Sequence, residues 1–310
     1  MMPTMTETVI RDQFPYWQAV LAMPVPRLAA GTIVVVGCGT SYYLAQSLAC
    51  AYNAHGQRAI AVPGAEWARR PESYLADMRD ILVLGLSRSG TTTETVQAIT
   101  ASRAQGWPTF AVSCVADVAI LQAAERGLYV PTDPREGIVM SVSASLMLLA
   151  GLRLAGITVA GDVVAVAGRA LAEVAAAGVQ DRSHFVYLGA GANYGIATEG
   201  SLKLQEMSLS YSQSFHPMEY RHGPVSLIDM RSLVVMIYSP ETAAEEARLV
   251  AELQAKGARV LGFGGPGDVT IPATGPACLP ALQMLGEMVA LHKGINSEAP
   301  RHLTKVVVLD

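Results

Sequence analysis

Ser87, Ser89, Gly90 and Thr92 follow directly on the apolar run Asp80 to Leu86. Three of them carry hydroxyls that can donate hydrogen bonds to phosphate oxygens, and the glycine lets backbone approach an anion closely. A helix beginning near Thr91 would aim its free N–H groups and its dipole at the same place. The alternative is simple helix capping, a common role of Ser and Thr. A second group lies downstream: Glu199, Lys203 and Glu206 fall at i, i+4 and i+7, on one helical face. That spacing suits acid–base work, and it equally suits a surface ion pair. Only four lysines occur in the chain, Lys203, Lys256, Lys293 and Lys305, so ordinary solvent-facing positive charge is supplied by arginine and Lys203 stands out. His222 precedes Gly223-Pro224, a turn signal that would present it outward. A histidine's near-neutral pKa suits proton transfer, although a structural role is open too.

Short β-branched runs alternate with helical stretches and would position these groups. Thr32 to Val36 leads into Gly37-Cys38-Gly39-Thr40-Ser41 and an apolar helix reaching Ala51. Ala59 to Val62, Asp80 to Leu86 and Thr109 to Ser113 follow as strands, with a helix over Thr93 to Gln105. This rhythm implies βαβ units and a parallel sheet covered on both faces.

The plan then repeats. Phe185 to Leu188 enters Gly189-Ala190-Gly191-Ala192-Asn193-Tyr194, matching Gly37 to Tyr42, and Leu233 to Ser239 matches Leu82 to Arg88. Gly37 to Ser87 and Gly189 to Ser239 are both 50 residues apart. Lys256 to Gly262 echoes Gln105 to Ala111. The expected fold is therefore α/β, two tandem parallel-sheet sandwiches. The expected organisation is an N-terminal helical segment over 1–30, a first domain over 31–158, a connecting helix over 159–180 and a second domain over 181–310. The hydroxyl cluster occurs only in the first copy; the second reads Ile237-Tyr238-Ser239-Pro240-Glu241-Thr242.

The 310 residues are 51% apolar and 15% charged, with a formal charge of −4. This composition supports buried cores, excludes a disordered chain and argues against a broad nucleic-acid-binding surface. Cys38, Cys50, Cys114 and Cys278 are widely spaced and are expected as buried thiols, with no metal site. Residues 1–13 lack a continuous apolar run, so no signal peptide is expected. The stretch Ser141 to Gly168 is interrupted by Arg153 and Asp162, short of the roughly 18 apolar residues a membrane span needs, and is expected as buried helix. Gly37-Cys38-Gly39 does not complete a dinucleotide fingerprint, because Tyr42 stands where glycine is required. No cofactor is expected, and the expected location is the cytoplasm.

Together the motifs resemble the sugar isomerase (SIS) domain family, most closely the isomerase part of glucosamine-6-phosphate synthase. Gly37 to Tyr42, Gly64-Ala65-Glu66-Trp67, Leu86 to Thr92 (an S-x-S-G-x-T loop) and Glu136 to Ser141 resemble the family's ligand loops. EGSLKLQEMS, YRHGPVSLID and the tail Pro300 to Lys305 follow in the family's order.

The resemblance implies two tandem SIS domains and a role for each residue. Ser87, Ser89 and Thr92, with Thr40 or Ser41, would bind the 6-phosphate of a hexose, and Glu136 and Ser141 would lie in a further sugar-binding loop. Glu206 would move a proton between C1 and C2. His222, supplied by a neighbouring subunit of a homodimer, would open the sugar ring. Lys203 and Lys305 would sit beside the open-chain sugar. Gln205, Ser208, Ser210 and the segment Ser212 to Met218 would shape selectivity.

The glutamine-hydrolysing domain of the synthase is missing from this sequence, so glutamine-dependent synthesis is not expected of this chain alone. The leading expectation is an enzyme that isomerises a hexosamine 6-phosphate and releases ammonia, giving fructose 6-phosphate. The alternatives are a plain ketose/aldose phosphate isomerase, a fructosamine-6-phosphate deglycase, or a non-catalytic sugar-phosphate sensor. The sensor reading predicts a fused DNA-binding segment, for which the first 30 residues are too short and Pro-rich.

Overall fold

Runs of valine, isoleucine and leucine build two five-stranded parallel sheets. A computed structural model describes residues 3–308. Residues 1–2 and 309–310, the outer ends of the expected N-terminal segment and second domain, lie outside the described residues. The N-terminal stretch forms α1 (Met5–Arg11) and α2 (Phe14–Ala22). Next come β1 (Thr32–Gly37), α3 (Thr40–Ala54), β2 (Ala59–Pro63), α4 (Gly64–Arg69), β3 (Ile81–Ser87) and α5 (Thr93–Ala104). The first half closes with β4 (Thr109–Ser113), α6 (Ala119–Ala123), β5 (Arg126–Tyr129) and α7 (Val142–Leu154). The second half runs α8 (Val163–Ala176), β6 (His184–Gly189), α9 (Ala192–Ser208), β7 (Ser212–Phe215), α10 (Pro217–Tyr220) and β8 (Ser232–Ile237). It ends with α11 (Ala243–Ala255), β9 (Arg259–Phe263), β10 (Val269–Ile271) and α12 (Leu279–His292).

The chain divides into two compact units, and neither is a continuous stretch of sequence. One holds residues 15–136, 142–160 and the tail from 304; the other holds the residues up to 14, 137–141 and 161–303. Lys305 thus belongs to the unit of the first half.

In the first-half unit the strand order is β2-β1-β3-β4-β5, all parallel. Every residue of β1, β3 and β4 is buried, as a sheet covered on both faces requires. Val34, Val36, Val83, Ile99 and Trp67 share one face's core. Each such side chain contributes about 1.5–3 kcal/mol of burial. On α3, Tyr52 donates to the carbonyl of Gly151 on α7 at 2.6 Å.

In the other unit the order is β10-β9-β8-β6-β7, again all parallel. Val186, Val234 and Val260 of the sheet pack with Leu249 and Leu253 of α11. On α12, Gly286 lets α9 come close: a Cβ there would stand 2.9 Å from Met207 Sδ and 3.1 Å from the Lys203 carbonyl.

The repeat extends to the loops. Gly39 and Gly191 precede α3 and α9 with φ, ψ of 53°, −127° and 55°, −128°. The register differs, however. Thr32 pairs with Ile81 but His184 pairs with Ser232, so the second copy is one residue shorter here. Ser239 corresponds to Arg88, as the match of Leu233 to Ser239 with Leu82 to Arg88 implies, and the equal spacing of 50 residues does not make it the counterpart of Ser87.

Two further expectations are corrected. Ser141 to Gly168 is not one helix: α7 ends at Leu154, Gly156 turns with φ +74°, and α8 starts at Val163. The thiols are not uniformly buried either, since Cys50 is exposed on α3 and Cys38 is half-buried. Among the described residues, no helix is long and apolar enough to cross a membrane.

Candidate functional site

Ser87 ends β3, where the ladder stops and the chain turns into α5. Its Oγ accepts the N–H of Gly90 at 3.1 Å and faces Thr92 Oγ1 at 3.4 Å. Ser89 Oγ accepts from the N–H and hydroxyl of Thr91, both at 3.3 Å. Gly90 holds φ +68°, and a Cβ there would stand 2.0 Å from Val118 Cγ2, so the loop is closed by a residue that only glycine suits. Thr92 is the N-cap of α5 but gives no side-chain cap. Its hydroxyl is therefore not spent on the helix end, and it stands beside Ser87 at the N-terminus of α5. This is the arrangement that favours an anion.

Thr40 and Ser41 occupy the first turn of α3, both buried, at the end of the neighbouring strand β1. The Glu66 loop forms α4; Trp67 is buried there and donates to Ser102 Oγ at 2.9 Å, a structural anchor. Glu136 is buried too. Its Oε1 accepts the N–H of Ser143, at the start of α7, at 3.0 Å, and Thr132 donates to its Oε2 at 3.3 Å. Lys305 Nζ donates to the Glu136 carbonyl at 3.0 Å. Thr40, Ser41, Ser87, Ser89, Thr92, Glu136 and Lys305 are thus all in the first-half unit.

The second copy explains why it carries no matching loop. The buried carboxylate of Glu246 accepts the N–H of Ser239 and the hydroxyl of Thr242, each at 2.8 Å. The second copy's strand end is filled by the protein's own anion.

Lys203, Glu199, Glu206, His222 and Ser141 lie in the other unit. Lys203 is not the surface ion pair its spacing allowed. Its ammonium is buried on α9, 2.5 Å from Glu206 Oε2 and 3.4 Å from Glu199 Oε1, and the Glu199 side chain is fully buried as well. Burial alone would push the ammonium's pKa down, but the two carboxylates outweigh it through charge and hydrogen bonding and hold it above the ordinary lysine value. The Glu206 side chain keeps 20% exposure, so its carboxylate is the member of the group open to a ligand. Behind it, Gln205 donates to the Ser212 carbonyl at 3.0 Å, tying α9 to the edge strand β7, and Lys293 caps the helix end through the Ser208 carbonyl at 2.8 Å.

His222 is exposed on the turn after α10, with Gly223 at φ +120°. Ser141 is buried, and its carbonyl accepts from Gln283 at 2.8 Å.

Glu199, on the face that the spacing marks out, is buried with Lys203, and Arg88 is a further buried residue that the sequence motifs did not single out. The usable signal for Arg88 was an arginine set between two hydroxyl residues at a strand end.

Comparison with known proteins fits this arrangement. The family profile described as SIS domain matches residues 28–155 and 179–272. A solved structure described as glucosamine-6-phosphate deaminase from Thermotoga maritima is 28% identical, superposes with a TM-score of 0.84, and covers 99% of this chain and 100% of its own. A tagatose-6-phosphate ketose/aldose isomerase from Escherichia coli, 24% identical, has a TM-score of 0.80 over 99% of this chain and 96% of its own, a likeness of fold. The glutamine–fructose-6-phosphate aminotransferase of Pyrobaculum aerophilum is 28% identical over 91% of this chain but 52% of its own length. The chain spans about half the length of the curated relatives it matches.

Proposed function

Because the chain belongs to the SIS domain family, as a phosphosugar isomerase of that family, we propose that it converts a hexosamine 6-phosphate to fructose 6-phosphate with release of ammonia. One observation carries the chemistry: Lys203, buried and charged, is paired with a Glu206 carboxylate that stays partly exposed. The likeness to the Thermotoga deaminase, at 28% identity over the length of both chains, supports loss of the amine.

In this reading Ser87, Ser89 and Thr92, with Thr40 and Ser41, take the phosphate by hydroxyl and amide donation. Glu136 orders the start of α7, and Ser141 contributes to sugar binding. His222, exposed on its turn, serves the neighbouring copy of a homodimer and opens the pyranose by moving a proton between ring oxygen and anomeric hydroxyl. In the open chain, Glu206 removes the proton from C2, giving an enolamine, and returns it to C1. The product is a ketimine at C2. Water adds to C2 and gives one proton to the nitrogen; the second passes from the new hydroxyl to the nitrogen as the C–N bond breaks, leaving the C2 carbonyl and ammonia. Lys305 holds the oxygen on which negative charge develops, a form of electrostatic stabilisation, and Lys203, behind the open-chain sugar, holds the Glu206 carboxylate in place. Phosphate binding away from the reacting carbons orients them.

The test is to supply glucosamine 6-phosphate and follow ammonia and fructose 6-phosphate together. Equal appearance of both is expected. Isomerisation of hexose 6-phosphates without ammonia overturns the deaminase reading in favour of an isomerase, and turnover of only amino-acid-linked fructosamine 6-phosphates makes it a deglycase. Binding without turnover of any of these makes it a sensor.

A further inference from the structure

Arg88 stands between the two serines of the phosphate loop, yet its side chain is turned away from solvent, 7% exposed. Its main chain is pinned to the end of the next strand: the Arg88 carbonyl accepts the N–H of Cys114 at 3.0 Å and the hydroxyl of Ser113 at 3.3 Å. From that fixed base the guanidinium reaches the C-terminal tail, where Nη2 donates to the carbonyl of Lys305 at 2.6 Å. The Lys305 ammonium in turn donates to the Glu136 carbonyl, and the Glu136 carboxylate holds the first turn of α7. The Ser87 to Thr92 loop, the tail, Glu136 and the start of α7 are thereby linked within one unit.

A guanidinium stays charged at any working pH, and its hydrogen bond to a carbonyl is about twice as strong as one between neutral groups. The tail around it is otherwise exposed. A lysine on an untethered tail would spread over many positions, and effective catalysis needs its ammonium at one. The hydroxyls and amides around Arg88 already supply donors for a phosphate.

We propose that Arg88 is a positioning residue that ties the main chain of Lys305 to the phosphate loop. It sets where the Lys305 ammonium stands, and so acts on turnover rather than on phosphate affinity. The catalytic half of this inference rests on the role given to Lys305 above.

Two variants of the full chain, Arg88→Met and Arg88→Lys, test it, with thermal unfolding compared to confirm folding. Amide hydrogen exchange over 304–308 and competition binding of inorganic phosphate need no substrate, so they report on the tie whatever the reaction is. For Arg88→Met, tail exchange is expected to speed up by about tenfold or more and kcat to fall by a similar factor. KM for glucosamine 6-phosphate and the phosphate affinity are expected to stay within about threefold. Arg88→Lys, which keeps a charged donor, is expected to recover part of both losses. A tenfold weakening of phosphate with an unchanged tail overturns the proposal and makes Arg88 a phosphate ligand. An unchanged tail with unchanged phosphate affinity overturns it as well. A Lys305→Met control with full kcat overturns the role of Lys305, and with it the catalytic half, while faster tail exchange in Arg88→Met still upholds the tie.

Discussion

The carboxylate of Glu246 accepts the backbone N–H of Ser239 at 2.8 Å, and this closes the second copy's loop with an anion built into the fold. The first copy opens the corresponding place to hydroxyls and to a glycine. In the proposed reading the first copy keeps this place for an external anion, whereas in the second it is taken by Glu246.

Removing that seal has a measurable cost. Glu246→Ala leaves the Ser239 amide and the Thr242 hydroxyl without their acceptor, and about 1–3 kcal/mol of stability is expected to be lost for the buried amide. Denaturant unfolding measures it. Unchanged stability would mean that water satisfies these donors and that the carboxylate is not the seal.

The buried Lys203 predicts a coupled pair. Lys203→Met strands Glu199 in the core, and breaking such a pair costs about 3–5 kcal/mol. Lys203→Met with Glu199→Leu is expected to recover more than half, which a double-mutant cycle reads directly. Additive losses would show that the two do not interact.

The same lysine sets an alkaline limit. Its folded pKa is raised, so its contribution is complete below the unfolded value of about 10.4 and is lost as pH rises through the folded one. The stability gap between the native chain and the double variant is expected to stay level from neutral pH to about pH 10 and then to narrow. A gap that narrows on the acid side instead would contradict the assignment.

Glu206 and Ser87 are expected to separate catalysis from binding. Glu206→Gln should lower kcat by about 10²–10⁴-fold, the usual loss for a missing general base, with inorganic phosphate still bound. Ser87→Ala should weaken phosphate by about tenfold, the loss of one hydrogen bond with a charged partner. Equal effects of both on KM would show that Glu206 serves binding alone.

Gly90→Ala forces a side chain into φ +68° and against Val118. The backbone strain alone is about 1–2 kcal/mol, and loss of phosphate binding is expected. Adding Val118→Ala removes the clash and not the strain, so binding should return only in part. Calorimetric titration with phosphate reads both variants.

If His222 works in the neighbouring copy, inactive His222→Ala and Glu206→Gln chains should regain activity when mixed and allowed to exchange subunits. Silence after demonstrated exchange places His222 in its own copy or outside the reaction.

The sequence alone determined the repeat, the strand–loop–helix order and the helix carrying Glu199, Lys203 and Glu206, because these follow from local periodicity and from glycine at strand ends. Spacing put three charged side chains on one face of α9; it did not say which way that face pointed. Only packing decided that Lys203 and Glu199 are buried. Nor did local sequence show that Arg88 holds the tail at Lys305 or that Lys293 caps the end of α9 at Ser208. Those are contacts between residues far apart in the chain, fixed by which surfaces close on one another, and no local propensity encodes them.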